Sequence, residues 1–202
     1  MKKILGVLTI VVLLVSVCFY FFPKQPKNIF DEIYQETEKT YRSNNILRNI
    51  DGFKIRPDWP NDGEYFAYTP SGKYQTHPEG YKDISISFNF GEGIKGMTIR
   101  FERKTNSNIT LWYSAHYNIK KKVLQKELAI FEEPRQPGQY LDDEEKVREY
   151  LRKNNISKEE LEKDYDEIVN QKVLKDWCTI YDSKYSPSNY GEVKIETQWE
   201  NW

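Results

Sequence analysis

Few side chains in this sequence could carry out nucleophilic catalysis. His77 and His116 are its two histidines, and Cys178 paired with either one would form a catalytic dyad. Cys178 lies beside Trp177 near the end of a predicted helix, where a thiol is more often buried and structural than reactive. The sequence contains no Gly-x-Ser-x-Gly motif. These features argue against a hydrolase and leave the Cys178 dyad as the one candidate.

Metal and phosphate sites find little support either. The two histidines lie 39 residues apart, and no His-x-x-x-His or Cys-x-x-Cys spacing occurs. Asp164 and Glu167 would share one face of a helix, but a run of acids most often forms a solvated face. The glycines at 91, 93 and 96 lie between two alternating segments, which indicates a hairpin turn rather than a phosphate loop. We therefore expect no metal, no cofactor and no enzyme activity.

Charge is distributed unevenly along the chain. Residues 94–126 contain eight basic side chains and one acid, whereas residues 132–167 contain thirteen acids and seven bases. Opposed patches of this kind can steer a charged partner, although strand and helix surfaces also differ in composition for structural reasons. Residues 24–202 hold 28 basic and 31 acidic side chains and no basic aromatic motif, so nucleic acid is not an expected partner.

Three side chains, Arg100, Trp112 and His116, form the candidate partner-binding site. Residues 109–117 alternate between apolar and other side chains, which places Trp112 and His116 on the less apolar side of a strand, next to Arg100 of the preceding strand. An exposed tryptophan beside an arginine is typical of the energetic centre of a protein interface. A second layer of structure covering this side is the alternative.

The N-terminal segment is long and apolar enough to cross a membrane. Its nineteen residues, Ile4 to Phe22, carry no charge and would span about 28 Å as a helix, close to the roughly 30 Å hydrocarbon core of a bilayer. The segment ends in aromatic residues and a proline, which favours an uncleaved anchor over a signal peptide. The residues taken as representative of this anchor are Ile4, Leu8, Val12, Val15, Phe19 and Phe22.

These features predict three regions. Residues 1–23 form a transmembrane anchor, residues 24–27 a short spacer, and residues 28–202 one extracytoplasmic domain. The charges flanking the segment weakly favour an N-terminus in the cytoplasm, which would place the domain outside the cell membrane. A cleaved signal peptide and lipidation at Cys18 are the two alternatives. Cys178 then has no disulfide partner within the domain.

The elements that must position the candidate site follow from the periodicity. A helix capped by Asn28 should run to about Arg42, with Asp31 on its solvated face. Residues 51–82 contain many turn residues and one better strand candidate, Glu64 to Thr69. Alternating segments predict strands beginning near residues 84, 97, 109 and 122, and a last strand near residues 193–200.

Two helices should lie between the fourth of these strands and the last one. The first helix begins at the acidic run 142–145. The second begins at a capping box at Ser157 and runs to about Trp177. Short connections between neighbouring strands predict an antiparallel meander. The expected fold class is α+β, an antiparallel sheet with helices mainly on one face, preceded by one transmembrane helix.

Several stretches of the sequence resemble the TipC family of immunity proteins. They are residues 30–34 and 47–53 near the start, and residues 172–177, 180–191 and 198–202 at the end. The resemblance implies a membrane-anchored protein that faces the cell-wall space of a Gram-positive bacterium. It further implies binding of an antibacterial toxin of the LXG type, which is exported by type VII secretion and acts as a lipid II phosphatase. Protection by binding requires no catalytic residues.

The sequence is compatible with three classes of function. An immunity protein would bind its toxin domain stoichiometrically from outside the membrane. A surface-anchored solute-binding or adhesion protein would have a ligand pocket, with the loop at residues 51–82 as its rim. A hydrolase would lose activity on replacement of Cys178 or His116. The first class is the expected function, and the second is the main alternative.

Overall fold

The computed structural model of this protein describes residues 25–42, 53–57, 65–70, 81–90, 93–105, 108–132, 140–200 and 202. The helices within these ranges are α1 (Ile29–Arg42), α2 (Glu144–Lys153), α3 (Lys158–Tyr165) and α4 (Lys175–Tyr181). A π-helical stretch, Asp166–Leu174, joins α3 to α4 without a break. The strands are β1 (Phe53–Pro57), β2 (Tyr65–Pro70), β3 (Tyr81–Asn89), β4 (Gly96–Lys104), β5 (Ile109–Asn118), β6 (Val123–Glu132) and β7 (Lys194–Thr197).

The strands form one sheet in the order of the sequence. Strands β1 to β6 pair antiparallel with their neighbours, as the meander predicted, and β2 coincides with the strand expected at residues 64–69. β7 pairs parallel with β6, so the sheet is mixed and the expectation of a purely antiparallel sheet is wrong. The reason is the helical crossover between β6 and β7, which returns the chain to the end of the sheet where β6 begins.

One face of the sheet forms the core with the helices. The alternating residues of β3, β4 and β5 that were expected to be apolar are buried, and aromatic rings connect them to α1 and to the end of the chain. Phe30 stacks on Tyr117 with ring centroids 5.2 Å apart, and Trp199 meets Tyr113 edge-on at 6.2 Å. Aromatic pairs of this kind add to the stabilisation from buried area.

A buried polar cluster holds the first turn of α1. Asn28 caps the helix, because its side-chain oxygen accepts the backbone N–H of Asp31 at 2.8 Å. The Asp31 carboxylate accepts Lys122 Nζ at 2.6 and 2.7 Å and Tyr117 Oη at 2.7 Å. Asp31 is 1% exposed, so the expectation that it faces solvent is wrong. The lysine and the tyrosine replace the water that this carboxylate loses on burial.

The second long helix changes its hydrogen-bonding pattern in its middle. Ser157 caps it by accepting the backbone N–H of Glu160, as the capping box predicted, and the helix extends past Trp177 to Tyr181. Four apolar residues of the π-helical stretch are buried at positions 168, 169, 173 and 174. Their spacing of five matches the i→i+5 repeat of a π-helix, which keeps both pairs on the side facing the core.

The proposed anchor lies outside the described residues, together with Ile4, Leu8, Val12, Val15, Phe19 and Phe22. Within the ranges that are described, no helix combines the length and the apolar character needed to cross a membrane.

We predict that replacing Asp164 destabilises the domain because Asp164 is buried in an ion pair. Its carboxylate accepts Arg103 at 2.7 Å and Tyr113 Oη at 2.5 Å. Asp164→Ala should lower the free energy of unfolding of residues 24–202, measured with urea, by about 3 kcal/mol. The matched control is Asp166→Ala, which removes an exposed carboxylate at the start of the π-helical stretch that continues α3 and should cost less than about 1 kcal/mol. Equal losses in the two variants would contradict the prediction.

Candidate functional site

The site is built from the face of the sheet that points away from the core, which we call the outer face. The register places its residues in rows across β4, β5 and β6. The rows are Thr98, His116 and Gln125; Arg100, Ser114 and Glu127; and Glu102, Trp112 and Ala129. The structure therefore brings Arg100, Trp112 and His116 together on one face, as the alternation predicted.

An aromatic cluster occupies one part of the outer face. The Trp112 ring lies 5.5 Å from Phe131 and 6.2 Å from Tyr140 between ring centroids, and Phe131 and Tyr140 are 5.7 Å apart. The Arg100 guanidinium carbon lies 5.8 Å from the Trp112 ring, within the range of a cation–π interaction. Tyr140 is 48% exposed, so the cluster reaches the protein surface.

A groove of about 660 Å³ extends from this cluster along the edge of β6. Two segments that pair with β6 form its walls: Leu141 exchanges backbone hydrogen bonds with Ile130, and β7 continues into Gln198. The Gln198 side chain accepts the backbone N–H of Leu128 at 2.7 Å. Arg100 and Trp112 both line the groove, whereas His116 lies one row further along the outer face.

Carboxylates dominate the groove. Glu127, Asp142, Glu144 and Glu196 line it, against the two bases Arg100 and Lys126, and of the four acids Glu196 is paired with Lys194 at 2.6 Å. The Lys126 ammonium is directed elsewhere, because it donates to Glu162 at 2.8 Å and lies 3.9 Å from the Tyr165 ring centroid. The groove therefore suits a basic partner surface. Its remaining base, Arg100, lies next to the Trp112 ring of the aromatic cluster.

His116 is positioned as a neutral side chain. Its Nδ1 lies 2.9 Å from the Thr98 hydroxyl, which gives one ring nitrogen a hydrogen-bond partner. Burial lowers the pKa of His116, and this effect outweighs the nearby Glu127, which acts to raise the pKa. His116 thus contributes hydrogen bonds and shape to the outer face at neutral pH, and no charge.

The structure separates the residues of the proposed dyad. Cys178 lies on α4, packed against the core, and its Sγ is 3.5 Å from the backbone oxygen of Tyr185. His116 lies on the outer face, across the sheet from the helices. Burial raises the pKa of Cys178, so the thiol stays protonated at neutral pH. His77 lies outside the described residues.

The remaining chemical motifs have structural roles. Asp164 is 2% exposed and pairs with Arg103, so the expectation that it lies on a solvated face is wrong. Arg103, at the basic end of β4, is the partner that permits the burial of this carboxylate.

The glycine turn connects two antiparallel strands, as expected. A Cβ at Gly96 would approach Tyr117 O to 2.2 Å, which accounts for that glycine. Among the described residues, no three His, Cys, Asp or Glu side chains cluster as metal ligands would.

The sequence reasoning missed the walls of the groove. Tyr140, Asp142, Glu144 and Glu196 reach it from two segments that are far from β4 and β5 in the sequence. The acids at 142 and 144 were interpreted only as a favourable start for a helix, and Glu144 does lie in the first turn of α2. The one available signal was the acidic balance of residues 132–167, which pointed to a charged surface but not to its position.

Comparison with known proteins assigns the family. The family model described as TipC immunity protein-like matches residues 1–198. The chain belongs to this family. It is also similar to the solved structure of TipC2 from Streptococcus intermedius B196, with 39% sequence identity and a TM-score of 0.76. That similarity covers 89% of this chain and 100% of the TipC2 chain. No curated protein matched the sequence.

The neutral state of His116 predicts a pH dependence for this member of the family. Folding lowers the pKa of His116, so below the ordinary histidine pKa of about 6.5 the unfolded chain binds a proton at this side chain more readily than the folded chain does. The free energy of unfolding therefore keeps its full value above about pH 6.5 and decreases as the pH falls from there toward the pKa of the folded state. Urea unfolding of residues 24–202 at pH 7.5 and 5.5 should show a smaller loss of stability in His116→Gln than in the wild type. Equal losses would contradict this assignment.

Proposed function

We propose that this protein is an immunity protein that binds and neutralises an exported antibacterial toxin through the groove on its outer face. The observation that carries the proposal is Arg100 stacked over Trp112 beside a groove lined by four carboxylates. Tryptophan and arginine dominate binding energy at protein interfaces, and complementary charge selects the partner and accelerates association. Membership of the TipC immunity protein-like family supports the same function.

The chemistry of the groove favours a protein partner over a small solute. Sites for small molecules are mostly apolar cavities with a few polar groups. Here the apolar part is an aromatic cluster that reaches the surface at Tyr140, and the rest of the groove carries several acids. This arrangement resembles the centre and the charged rim of a protein interface. A solute-binding or adhesion role remains the alternative, and binding assays with the toxin distinguish it.

The toxin and the place of binding are further parts of the proposal. Residues 4–22 carry no charge and would anchor the domain outside the cell membrane. Residues 28–202 would then meet the toxin in the cell-wall space, and an LXG-type toxin that cleaves lipid II would have its substrate at the same membrane. Inhibition by stoichiometric binding requires no catalytic residues in this domain, whereas enzymatic inactivation of the toxin would require them.

We predict that Trp112→Ala and Arg100→Ala each weaken binding of the cognate toxin domain. Loss of a central interface residue costs about 2 kcal/mol or more, which corresponds to about 30-fold in Kd. Candidate C-terminal toxin domains from the same genome would first be tested by pull-down, and the Kd of the binding partner then measured by calorimetry. Arg152→Ala is the matched control, since Arg152 is an exposed arginine at the end of α2.

Each variant would also be checked for folding by urea denaturation, so that weaker binding caused by unfolding is not mistaken for the loss of an interface contact. A Kd in Trp112→Ala equal to that of Arg152→Ala would reject the outer face as the toxin site. High salt should slow association in the wild type and in Arg152→Ala, because the acids of the groove act through screened Coulomb attraction.

The anchor gives a second prediction. In cells exposed to the toxin from outside, the full chain should protect growth, whereas the chain without residues 1–23 should stay in the cytoplasm and fail to protect. The physical reason is that a toxin acting outside the membrane never meets a cytoplasmic domain. The truncated protein must be shown to accumulate and to bind the toxin in a lysate. Equal protection by both forms would contradict an extracytoplasmic site of action.

A further inference from the structure

One end of the sheet collects several exposed side chains. The turn before β4, the turn at residues 119–122 and the start of β7 lie together there, because Gly96 pairs with Asn118 and Val123 pairs with Lys194. We call this end the anchor-side rim and define it by five exposed residues that lie outside the ion pairs described below. They are Ile94, Lys95, Lys120, Lys121 and Lys184.

The chain reaches α1 along the same end and is fastened to it. Tyr185 Oη donates to the backbone oxygen of Pro26 at 2.6 Å, and Lys184 Nζ donates to the same oxygen at 3.2 Å. The backbone N–H of Glu192 donates to Lys27 O at 2.9 Å, and Asn28 forms a bridge with Gly191. Residues 26–28 are therefore part of the folded domain and do not form a flexible tether.

The distance from the rim to the proposed anchor is short. The apolar segment ends at Phe22, and the described chain begins at Gln25. Three residues reach at most about 11 Å when fully extended. If residues 4–22 cross the membrane, the rim must lie close to the surface of the bilayer.

The charges of the rim suit such a surface. Three acids at this end are neutralised by lysines in ion pairs: Asp31 with Lys122, Glu192 with Lys27, and Glu196 with Lys194. The four lysines of the rim come in addition to these pairs, although the charge of Lys121 also acts on Glu196, and Asp182 is an exposed acid two residues before Lys184. Glu92 adds one further acid in the sequence of the β3–β4 turn, and Lys24 one further base in the spacer.

The rim also presents an apolar side chain. Ile94 is 65% exposed, more than any other large hydrophobic residue among those described, and it precedes Lys95 in the same turn. The backbone N–H of Ile119 donates to Lys95 O at 3.2 Å, which holds the two turns side by side. An apolar residue among lysines is the composition that binds the interface of an anionic membrane.

We propose that the anchor-side rim rests on the anionic lipid headgroups of the membrane and fixes the orientation of the domain. The lysines attract lipid phosphates, and Ile94 enters the headgroup layer. This inference rests on the anchor in the proposed function. Along β6, the residues that line the groove begin about two residues after Val123, at Gln125, and end about six residues after it, at Ala129. At the rise per residue of a strand, the groove therefore lies within roughly 20 Å of the rim and of the bilayer.

The full chain reconstituted in lipid nanodiscs tests this orientation. Ile94→Cys, in a chain that also carries Cys18→Ser and Cys178→Ser, would be labelled with an environment-sensitive fluorophore, and quenching by lipids with a nitroxide at the headgroup would be measured. A label at Lys104→Cys reports on the opposite end of β4. Discs of phosphatidylcholine are compared with discs in which one third of the lipid is phosphatidylglycerol.

We expect quenching at position 94 in the anionic discs and its loss in neutral discs, with little quenching at position 104 in either. Raising NaCl from 0.1 to 1 M shortens the screening length from about 10 Å to about 3 Å and should also remove the quenching. The triple variant K95E/K120E/K121E should lose it, whereas the charge-matched control K146E/K153E/K163E, with exposed lysines on α2 and α3, should keep it.

Equal quenching at the two positions, or quenching that is insensitive to lipid charge and to the triple variant, would overturn the proposal. Its failure is distinguishable from failure of the proposed function, because toxin binding by residues 24–202 in solution depends on Trp112 and uses none of the rim lysines. A domain that binds toxin without resting on the membrane would leave the immunity function intact. A rim that contacts lipid in a protein that binds no toxin would leave the orientation intact.

Discussion

The buried carboxylate of Asp31 connects the start of α1 to residues 117–122, which are distant from it in the sequence. It accepts hydrogen bonds from Lys122 after β5 and from Tyr117 within β5, while its own backbone N–H is capped by Asn28. A buried charge is tolerable only when its partners are all in place. The position of α1, the turn at residues 119–122 and the path of residues 26–28 are therefore fixed together, and the core packs around that arrangement.

Helices cover one face of the sheet, and the outer face combines buried side chains such as Glu102 and Phe131 with the exposed Arg100 and the half-buried Trp112. The core takes most of the large apolar residues, and the outer face retains Arg100, polar side chains and the aromatic cluster of Trp112, Phe131 and Tyr140. The two titratable side chains once paired as a possible dyad end up in different places, with His116 on the outer face and Cys178 beside the core. The sheet thus separates the packed core from the outer face, to which the proposed function assigns toxin binding.

Local patterns were sufficient to predict most of the strands and helices. Alternation at residues 84–90 and 109–117 and the three-to-four spacing after Asn28 reflect the geometry of single elements, so each could be interpreted without knowing its neighbours. The same alternation placed Arg100, Trp112 and His116 on one face. These predictions succeeded because they depended only on residues close in sequence.

The errors all involved partners from elsewhere in the chain. Asp31 and Asp164 were expected in solvent, but Lys122 and Arg103 pair with them in the folded state. The direction of β7 depends on the path of the crossover, which its four residues do not encode. The walls of the groove come from residues 140–144 and 196–198, so its volume and acidity appear only when the sheet is complete.

The bridge between Asn28 and Gly191 has a consequence for how the domain forms. Asn28 also donates to the backbone oxygen of Glu192, a residue 164 positions away in the sequence. β7 completes its side of the sheet only a few residues later. Contacts of such long sequence separation slow folding, because the chain must close a large loop before they form. Residues 26–28 and 191–197 hold each other in place, so a growing chain gains its native arrangement only after residues 191–197 have been made.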